Sequence, residues 1–552
     1  MKLNKYIFFT LLASAVSSCN DFLDQVPDNR VDIETPDQVK QLLVDAYCKY
    51  NYATVCEFSS DNVVDNNAPD ENGNRYNLTY RDPSDLEAFA WDDIVSNIEE
   101  DSPSMIWAGC YHAIAVCNNA LEAIARLEAE GRGSEVQAQK GEALISRAYH
   151  HFLLANIFSK AYAGEELSEN IPAIPYMQKV ETEVLVHYER ESLASVYRKI
   201  EADIKEGLPL INDGAYDVPK YHFNKKAANA FAARFYLFKR DYENVEKYAT
   251  EALGGTEADP ATMMRQFWAK SFTTYDALVA AYSSAQEQCN FLLVPTYSVF
   301  GRSRGARFAL NRDAQAATIL GAGPTWPNYN FHPCFSGKLY VRGSQEYGTI
   351  FPKAGELFEY TDKVAGIGFA HIVRCELTAE ETLLARAEAR IYMGRKEDGL
   401  ADLKIWEAAR RNVSVAANFR DLTEAQIISF YKTSDPGFGI VKPLHIDEVC
   451  PSSKYKLTED IEPLIQCLLH FRRIETIDDG YRWFDIKRYG IEITHKIGID
   501  RVETLVTNDP RTAIQIPAEV IAVGFAPNDR TPMKKEGGLE KYTGSFRKMI
   551  QN

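Results

Sequence analysis

The stretch 325–331 reads TWPNYNF and sets Trp326, Tyr329 and Phe331 close together, with Asn328 and Asn330 between them. Flat rings with amides beside them suit ligands that have apolar faces and polar edges, as sugars do. The ring stacks on the face and the amides hold the hydroxyls. Pro324 and Pro327 stiffen the stretch and lower the ordering cost of binding. The neighbouring loop carries Arg302, Arg304, Arg307 and Arg312. These could meet an acidic sugar or a peptide carboxylate, or acids of this same chain. An earlier stretch, 59–85, adds Asn72, Asn74, Tyr76 and Tyr80. Trp326 leads the candidate ligand-binding set, followed by Tyr329, Phe331, Asn328, Tyr76, Asn74 and Arg304. For each ring the alternative is simple packing onto the scaffold.

Other chemistries fare less well. The Asp/Asn-rich run 61–74 offers oxygen ligands for calcium, but Gly73 does not follow three properly spaced acids, so the EF-hand order fails. Calcium stays an option; no other cofactor and no metal-ligand set is assigned. His150 and His151 are adjacent on a helical pattern, so their rings diverge. No nucleophile elbow, HExxH motif or phosphate-binding glycine loop is present. The 78 acids leave room for a carboxylate pair such as an all-helical glycoside hydrolase would use. No catalytic residue is assigned, and the expectation is a protein that is not an enzyme.

These loops must be held by something, and the chain begins with an address. Lys2 and Lys5 precede an apolar run, Tyr6 to Val16, and small Ser17 and Ser18 precede Cys19. Residues 1–18 have the layout of a secretory signal peptide, too short to span a membrane. Cleavage before a cysteine resembles the lipobox of bacterial lipoproteins, which makes Cys19 the expected site of lipidation. Its acyl chains, palmitate among them, would tether the chain, since each buried CH₂ contributes about 0.8 kcal/mol.

Loss of residues 1–18 removes two lysines and no acid, taking the formal charge from −17 to −19. A chain this acidic is not expected to bind nucleic acid, which needs a basic face. The ten cysteines form no C-x-x-C pair and no zinc spacing. No bridge is assigned; Cys110 and Cys117 could share one helical face.

Three segments carry strong helical periodicity in pairs. In 110–130 and 141–158, Ile114, Cys117, Leu121 and Ile124, then Leu144, Ala148, Phe152, Ala155 and Phe158, recur at three- and four-residue steps. The pattern 227–253 breaks near Arg240 and Asp241, and 381–411 breaks at Gly394. Ala-rich helix, short turn, second helix is the plan of tetratricopeptide repeats, here not in tandem; generic helical hairpins are the alternative. A further helix is expected over 191–211, stopped near Gly207 and Pro209. Residues 256–370 show little helical period and read as a loop-rich insert.

Near the C-terminus stands RRIETIDDGYRWFDIKRYG, 472–490. It resembles the signature of the SusD/RagB family at Arg472, Arg473, Glu475, Asp479, Gly480, Arg482, Trp483, Phe484, Asp485, Arg488, Tyr489 and Gly490. Segments beginning SCNDFLDQVP, ALISRAYHHF, YRKIEADIKEG, AEARIYMG and IQIPAEV are similar to other family segments along most of the chain. Arg472 with Glu475, and Arg482 with Asp485, are spaced to meet on a helix surface. The signature therefore reads as structural, pinning the C-terminal helix to the repeats.

The resemblance implies a mainly α fold, a tetratricopeptide-like helical hairpin scaffold with long irregular ligand-binding loops. It divides the chain into a helical region, 19–255, and a C-terminal region, 256–552. It also implies a lipoprotein of the outer membrane facing the cell exterior. Such a protein binds oligosaccharide, or peptide in some members, and delivers it to a SusC-like TonB-dependent transporter. Ligand is expected where the loops 59–85 and 256–345 converge.

Overall fold

The helices start where the sequence supplies side-chain caps. Ser102 accepts from the Met105 N–H and Pro103 follows it, opening the long helix α3 (Pro103–Ala129). Its partner α4 (Gln137–Phe158) packs back on it after a short turn. Among the shorter helices that precede this pair are α1 (Pro36–Leu43) and α2 (Ala53–Ser59). Ser192 caps α5 (Leu193–Gly207) through Ser195, and Asn224 caps α6 (Lys225–Lys239) through Ala227. Arg240 adopts a left-handed φ of 62°, and Asp241 then caps α7 (Tyr242–Ala252). Thr378 caps α8 (Ala379–Tyr392); Gly394, at φ +80°, turns the chain into α9 (Lys396–Arg410). The three expected hairpins are thus α3–α4, α6–α7 and α8–α9. Their alanines, among them Ala228, Ala232, Ala387 and Ala389, are fully buried and let the helices approach closely.

This computed structural model describes residues 33–70, 73–181, 187–267, 270, 272–326, 351–410, 421–433 and 439–533. Cys19, Asn328, Tyr329 and Phe331 lie outside the described residues.

The insert 256–370 differs from its reading as irregular loop. It contains β2 (Asn290–Tyr297) and β4 (Leu357–Asp362), and β5 (Ile367–Thr378) leaves it to run into α8. The order is β2–β5–β4, antiparallel, with Tyr297 and Leu357 both opposite His371. Strand β2 is buried on both faces along Asn290–Val294, so it lacks the alternation that marks a half-buried strand. Two smaller pairs complete the sheet content: β1 (Val64–Asp65) with β3 (Phe308–Ala309), and β6 (Ile493–Ile497) with β7 (Arg501–Leu505).

The signature forms a buried helix pair, α10 (Glu462–Glu475) and α11 (Tyr481–Tyr489). Between them Gly480 sits at φ +82°, and a Cβ there would lie 2.9 Å from the Cα of Ala53 and 3.0 Å from the Cβ of Cys56. Only glycine permits both the turn and this approach to α2.

Candidate functional site

The signature arginines do not make the short-range pairs their spacing suggests. Arg472 and Arg488 both grip Glu388 of α8, and both reach the same oxygen of Asp485 at 2.9 and 3.1 Å. Glu475 accepts instead from Arg410 and, at 2.8 Å, from the indole of Trp406. Arg482 forms a fork with Asp61 at 2.7 and 2.9 Å; Arg473 donates to Asn62 Oδ1 at 2.7 Å and to the Asp61 carbonyl at 2.7 Å. Buried against two guanidinium groups, the Asp61 carboxyl is held far below its ordinary pKa by Arg473 and Arg482, although burial opposes them. The signature is an ionic hub that fixes the start of the loop 61–82.

From that start, side-chain amides staple the loop to 298–311. Asn66 N–H donates to the Arg307 carbonyl at 2.8 Å and its Nδ2 to the Ala306 carbonyl at 3.0 Å. Asn67 clamps Leu78 by accepting from its N–H at 2.6 Å and donating to its carbonyl at 2.7 Å. Arg307 forks onto Asp65 at 2.9 and 2.7 Å, and its own N–H donates to the Thr79 carbonyl at 3.0 Å. The two stretches converge, as their sequences lead one to expect. The described acids of 61–74 are used within the chain: Asp61 and Asp65 by arginines, Asp70 by the N–H of Asn74 at 2.7 Å. Among the described residues no three His, Cys, Asp or Glu side chains are grouped to hold a metal.

What this base holds up is an exposed run, 73–80, with Asn74, Arg75, Tyr76, Asn77 and Tyr80 on its surface. Tyr76 and Tyr80 are each 40% exposed.

Trp326 and Arg304 are placed otherwise than expected. Trp326 is 1% exposed; its Nε1–H donates to the Gly321 carbonyl at 2.9 Å, and its ring lies 5.8 Å from both His470 and Phe471 of α10. It is a wall of the helical core and not an open platform, because α10 occupies the ring. Arg304 is partly buried, donating to the Tyr275 hydroxyl at 3.0 Å, the Phe351 carbonyl at 3.2 Å, the Lys353 carbonyl, and Asp478 at 2.6 Å. Its donors are spent inside the protein. Arg302 likewise pairs with Glu356 at 2.6 Å, so these arginines serve the chain's own acids.

A second open aromatic surface has no counterpart in the sequence reading. On the β4–β5 hairpin Phe358, Tyr360 and Phe369 are 45%, 52% and 47% exposed. Phe358 and Tyr360 meet edge to face at 4.9 Å, and Phe369 lies 5.5 Å from Tyr297, itself 5.9 Å from Tyr50. The signal for them was the aromatic spacing in LFEYTD, which places Phe358 and Tyr360 on one face of a strand. The segment after Tyr297 runs on to the 298–311 stretch, so it links both surfaces.

Beneath the junction, Glu57, Phe58, Phe308, Phe351 and Asp478 help line a cavity of about 30 Å³. That is room for water, an order of magnitude below the roughly 300–1,000 Å³ of a small-molecule pocket. Burial pushes Glu57 up to about 8 and Asp479 to about 6. Glu57 accepts from the Gly480 N–H at 2.9 Å and Asn62 Nδ2 at 2.8 Å, while Lys353 pairs with Asp479. Their raised values come chiefly from desolvation, Glu57 within the core and Asp479 beside Lys353.

Residues 21–237 match a family model described as SusD-like, starch-binding associating with outer membrane. A SusD superfamily protein from Bacteroides fragilis superposes with a TM-score of 0.58 at 16% identity, over 89% of this chain and 99% of its own. SusD superfamily proteins from Bacteroides thetaiotaomicron and Bacteroides vulgatus give TM-scores of 0.54 and 0.53 at 15% and 17% identity. They cover 90% and 91% of this chain and 100% of their own. No curated protein matches. The chain is similar to the SusD-like family by sequence over residues 21–237, and it shares the fold of these SusD superfamily structures along about nine-tenths of its length.

Proposed function

We propose that this chain is a carbohydrate-binding lipoprotein of the outer membrane that captures oligosaccharide and passes it to a SusC-like TonB-dependent transporter. The observation that carries the binding reading is the run 73–80, in which two half-open tyrosines stand among amides and an arginine on an ion-paired base. A chain like this, in a family described as starch-binding at the outer membrane, has the stacking rings and polar edges that a glycan needs. Cys19, following its short apolar leader, is the anchor. The binding surface is open and not a pocket, so an extended glycan fits it better than a small enclosed ligand. With Glu57 held by Gly480 and Asn62 and Asp479 paired to Lys353, neither raised carboxyl lies on this surface, and the proposed role is capture without hydrolysis.

Calorimetry of the lipid-free chain against a panel of glycans tests this. Tyr80→Ala and Tyr76→Ala should weaken the glycan that binds, by about 30-fold if either ring is a hot spot, while the melting temperature stays unchanged. Undiminished affinity in both variants would remove the site from this run. Steady release of shorter glycan by the purified chain, abolished by replacing one acid, would overturn the non-enzymatic reading.

A further inference from the structure

The segment that joins α1 to α2 is drawn tightly onto the helical base. The Cys48 N–H donates to His150 Nε2 at 2.9 Å, and His150 in turn directs Nδ1 at the Ser146 carbonyl at 2.7 Å. Lys49, the next residue, gives its carbonyl to the Tyr297 N–H at 2.7 Å. These bonds hold the Cys48 side chain against α3. Its sulfur lies 4.0 Å from the Ile106 carbonyl, one turn before Cys110. At Gly109 an added Cβ would stand 2.9 Å from that sulfur and 2.6 Å from the Tyr50 ring. A glycine is required there for the segment to come this close. Cys48 and Cys110 are 8% and 0% exposed, and Cys110, next to Gly109 and four residues on from Ile106, shares the face of α3 that the Cys48 sulfur meets.

We infer that Cys48 and Cys110 form a disulfide in the exported protein, tying the α1–α2 segment to the long helix α3. This rests on the export reading above, because disulfides persist in oxidising compartments and not in the cytosol. The oxidant is a protein disulfide of the thiol-oxidising kind. In the first step the Cys48 thiolate, having given up its proton, attacks that disulfide and releases one of its sulfurs as a thiol, leaving a mixed disulfide. In the second, Cys110 loses its proton and attacks the Cys48 sulfur, releasing the other. Two electrons and two protons pass from the cysteine pair to the oxidant, which ends as a dithiol. Both thiols are enclosed in the folded chain, so the exchange takes place before α3 closes over Cys48. Burial pushes the thiols of Cys56, Cys117 and Cys375 up to about 12.

The test is peptide mapping of the full chain after alkylation in denaturant without reductant. It is applied to protein recovered from cell envelopes and to protein refolded in a mixed oxidised and reduced glutathione buffer. The expected result in both is one linked peptide pair carrying Cys48 and Cys110, lighter by two hydrogens than the separate peptides, with Cys56, Cys117 and Cys375 alkylated. Full alkylation of Cys48 and Cys110 in both samples would overturn the bridge. A link that forms on refolding but not in cells supports the pairing and counts against export to an oxidising compartment. A melting temperature that falls on adding reductant in the wild type, but not in Cys48→Ser, is the second readout expected of the bridge.

Discussion

Replacing Asp61 by Asn keeps the shape of the side chain and deletes its charge, which makes it the sharpest probe of the hub under the loop 61–82. The side chains of Asp61, Arg473 and Arg482 are 12%, 2% and 4% exposed. Arg473 keeps Asn62, the Gly439 carbonyl and the Asp61 carbonyl, but Arg482 loses its fork. Removing one member of a buried pair costs about 3–5 kcal/mol, because the other charge stays buried alone. For a chain of this length the entropy of unfolding sums to about 1.1 kcal/mol/K, so a loss of about 4 kcal/mol lowers the melting temperature by about 4 °C. Calorimetric melting at pH 7 reads it. The pH dependence has a definite sign. Since the folded pKa of Asp61 lies below its ordinary 3.8, the stability it contributes is present above that value and disappears as pH falls through the folded one. The gap between wild type and variant should be constant from pH 8 to 5 and narrow below about 3.8. A gap under about 1 °C at pH 7, or one that widens as pH falls, would refute the account of the hub.

Trp326→Ala should cost about 3–5 kcal/mol of stability through the cavity it leaves against Phe471, with glycan affinity unchanged in calorimetry; weaker binding at full stability would restore the ring as a platform. Cys19→Ala should move the protein from the membrane to the soluble fraction on fractionation, and continued membrane association would count against the anchor. Lys487 is buried with its ammonium donating to the carbonyls of Asn156 and, at 2.6 Å, Ser159, and burial lowers its pKa to about 7 from 10.5. The unfolded chain therefore holds that proton up to about pH 10.5 while the folded chain sheds it near 7, so Lys487 adds stability as pH rises between the two. Relative to Lys487→Met, the wild type should gain up to about 2 kcal/mol from pH 7 to 9 in denaturant unfolding; an equal slope in both proteins would deny the depressed pKa.

The hairpins were legible because their interfaces repeat locally: Leu144, Ala148, Phe152 and Phe158 mark one face, and all are buried. The convergence of the two loops was legible in outline, from where helical period stops. The partners of the signature were not, since spacing reveals neighbours along a helix, whereas Arg482 finds Asp61 and Arg472 finds Glu388 across the fold. Trp326 shows the same limit. Proline and asparagine mark a loop but not which way its rings face, and this ring turns onto α10. Strand β2 escaped because burial on both sides erases its period. The exposed Phe358 and Tyr360 were passed over for the opposite reason, since aromatics in a strand pattern suggest a core.

The hub joins pieces that the ribosome makes far apart: Gly480 to Glu57, Arg473 to Asn62 and Arg482 to Asp61 each span more than 400 positions. Such long closures are late and slow events in folding. Until residues 473–482 arrive, α2 lacks the backbone that fills the space beside Ala53 and Cys56, and Asp61 has neither of its cations. The part with the clearest family likeness, 21–237, is therefore not a unit that can finish folding alone. If the chain is exported as proposed, it would remain open at its N-terminal end until nearly all of it had crossed the membrane. A chaperone that shields α2 and the loop after it during that interval has a well-defined task, which ends when α10 and α11 dock.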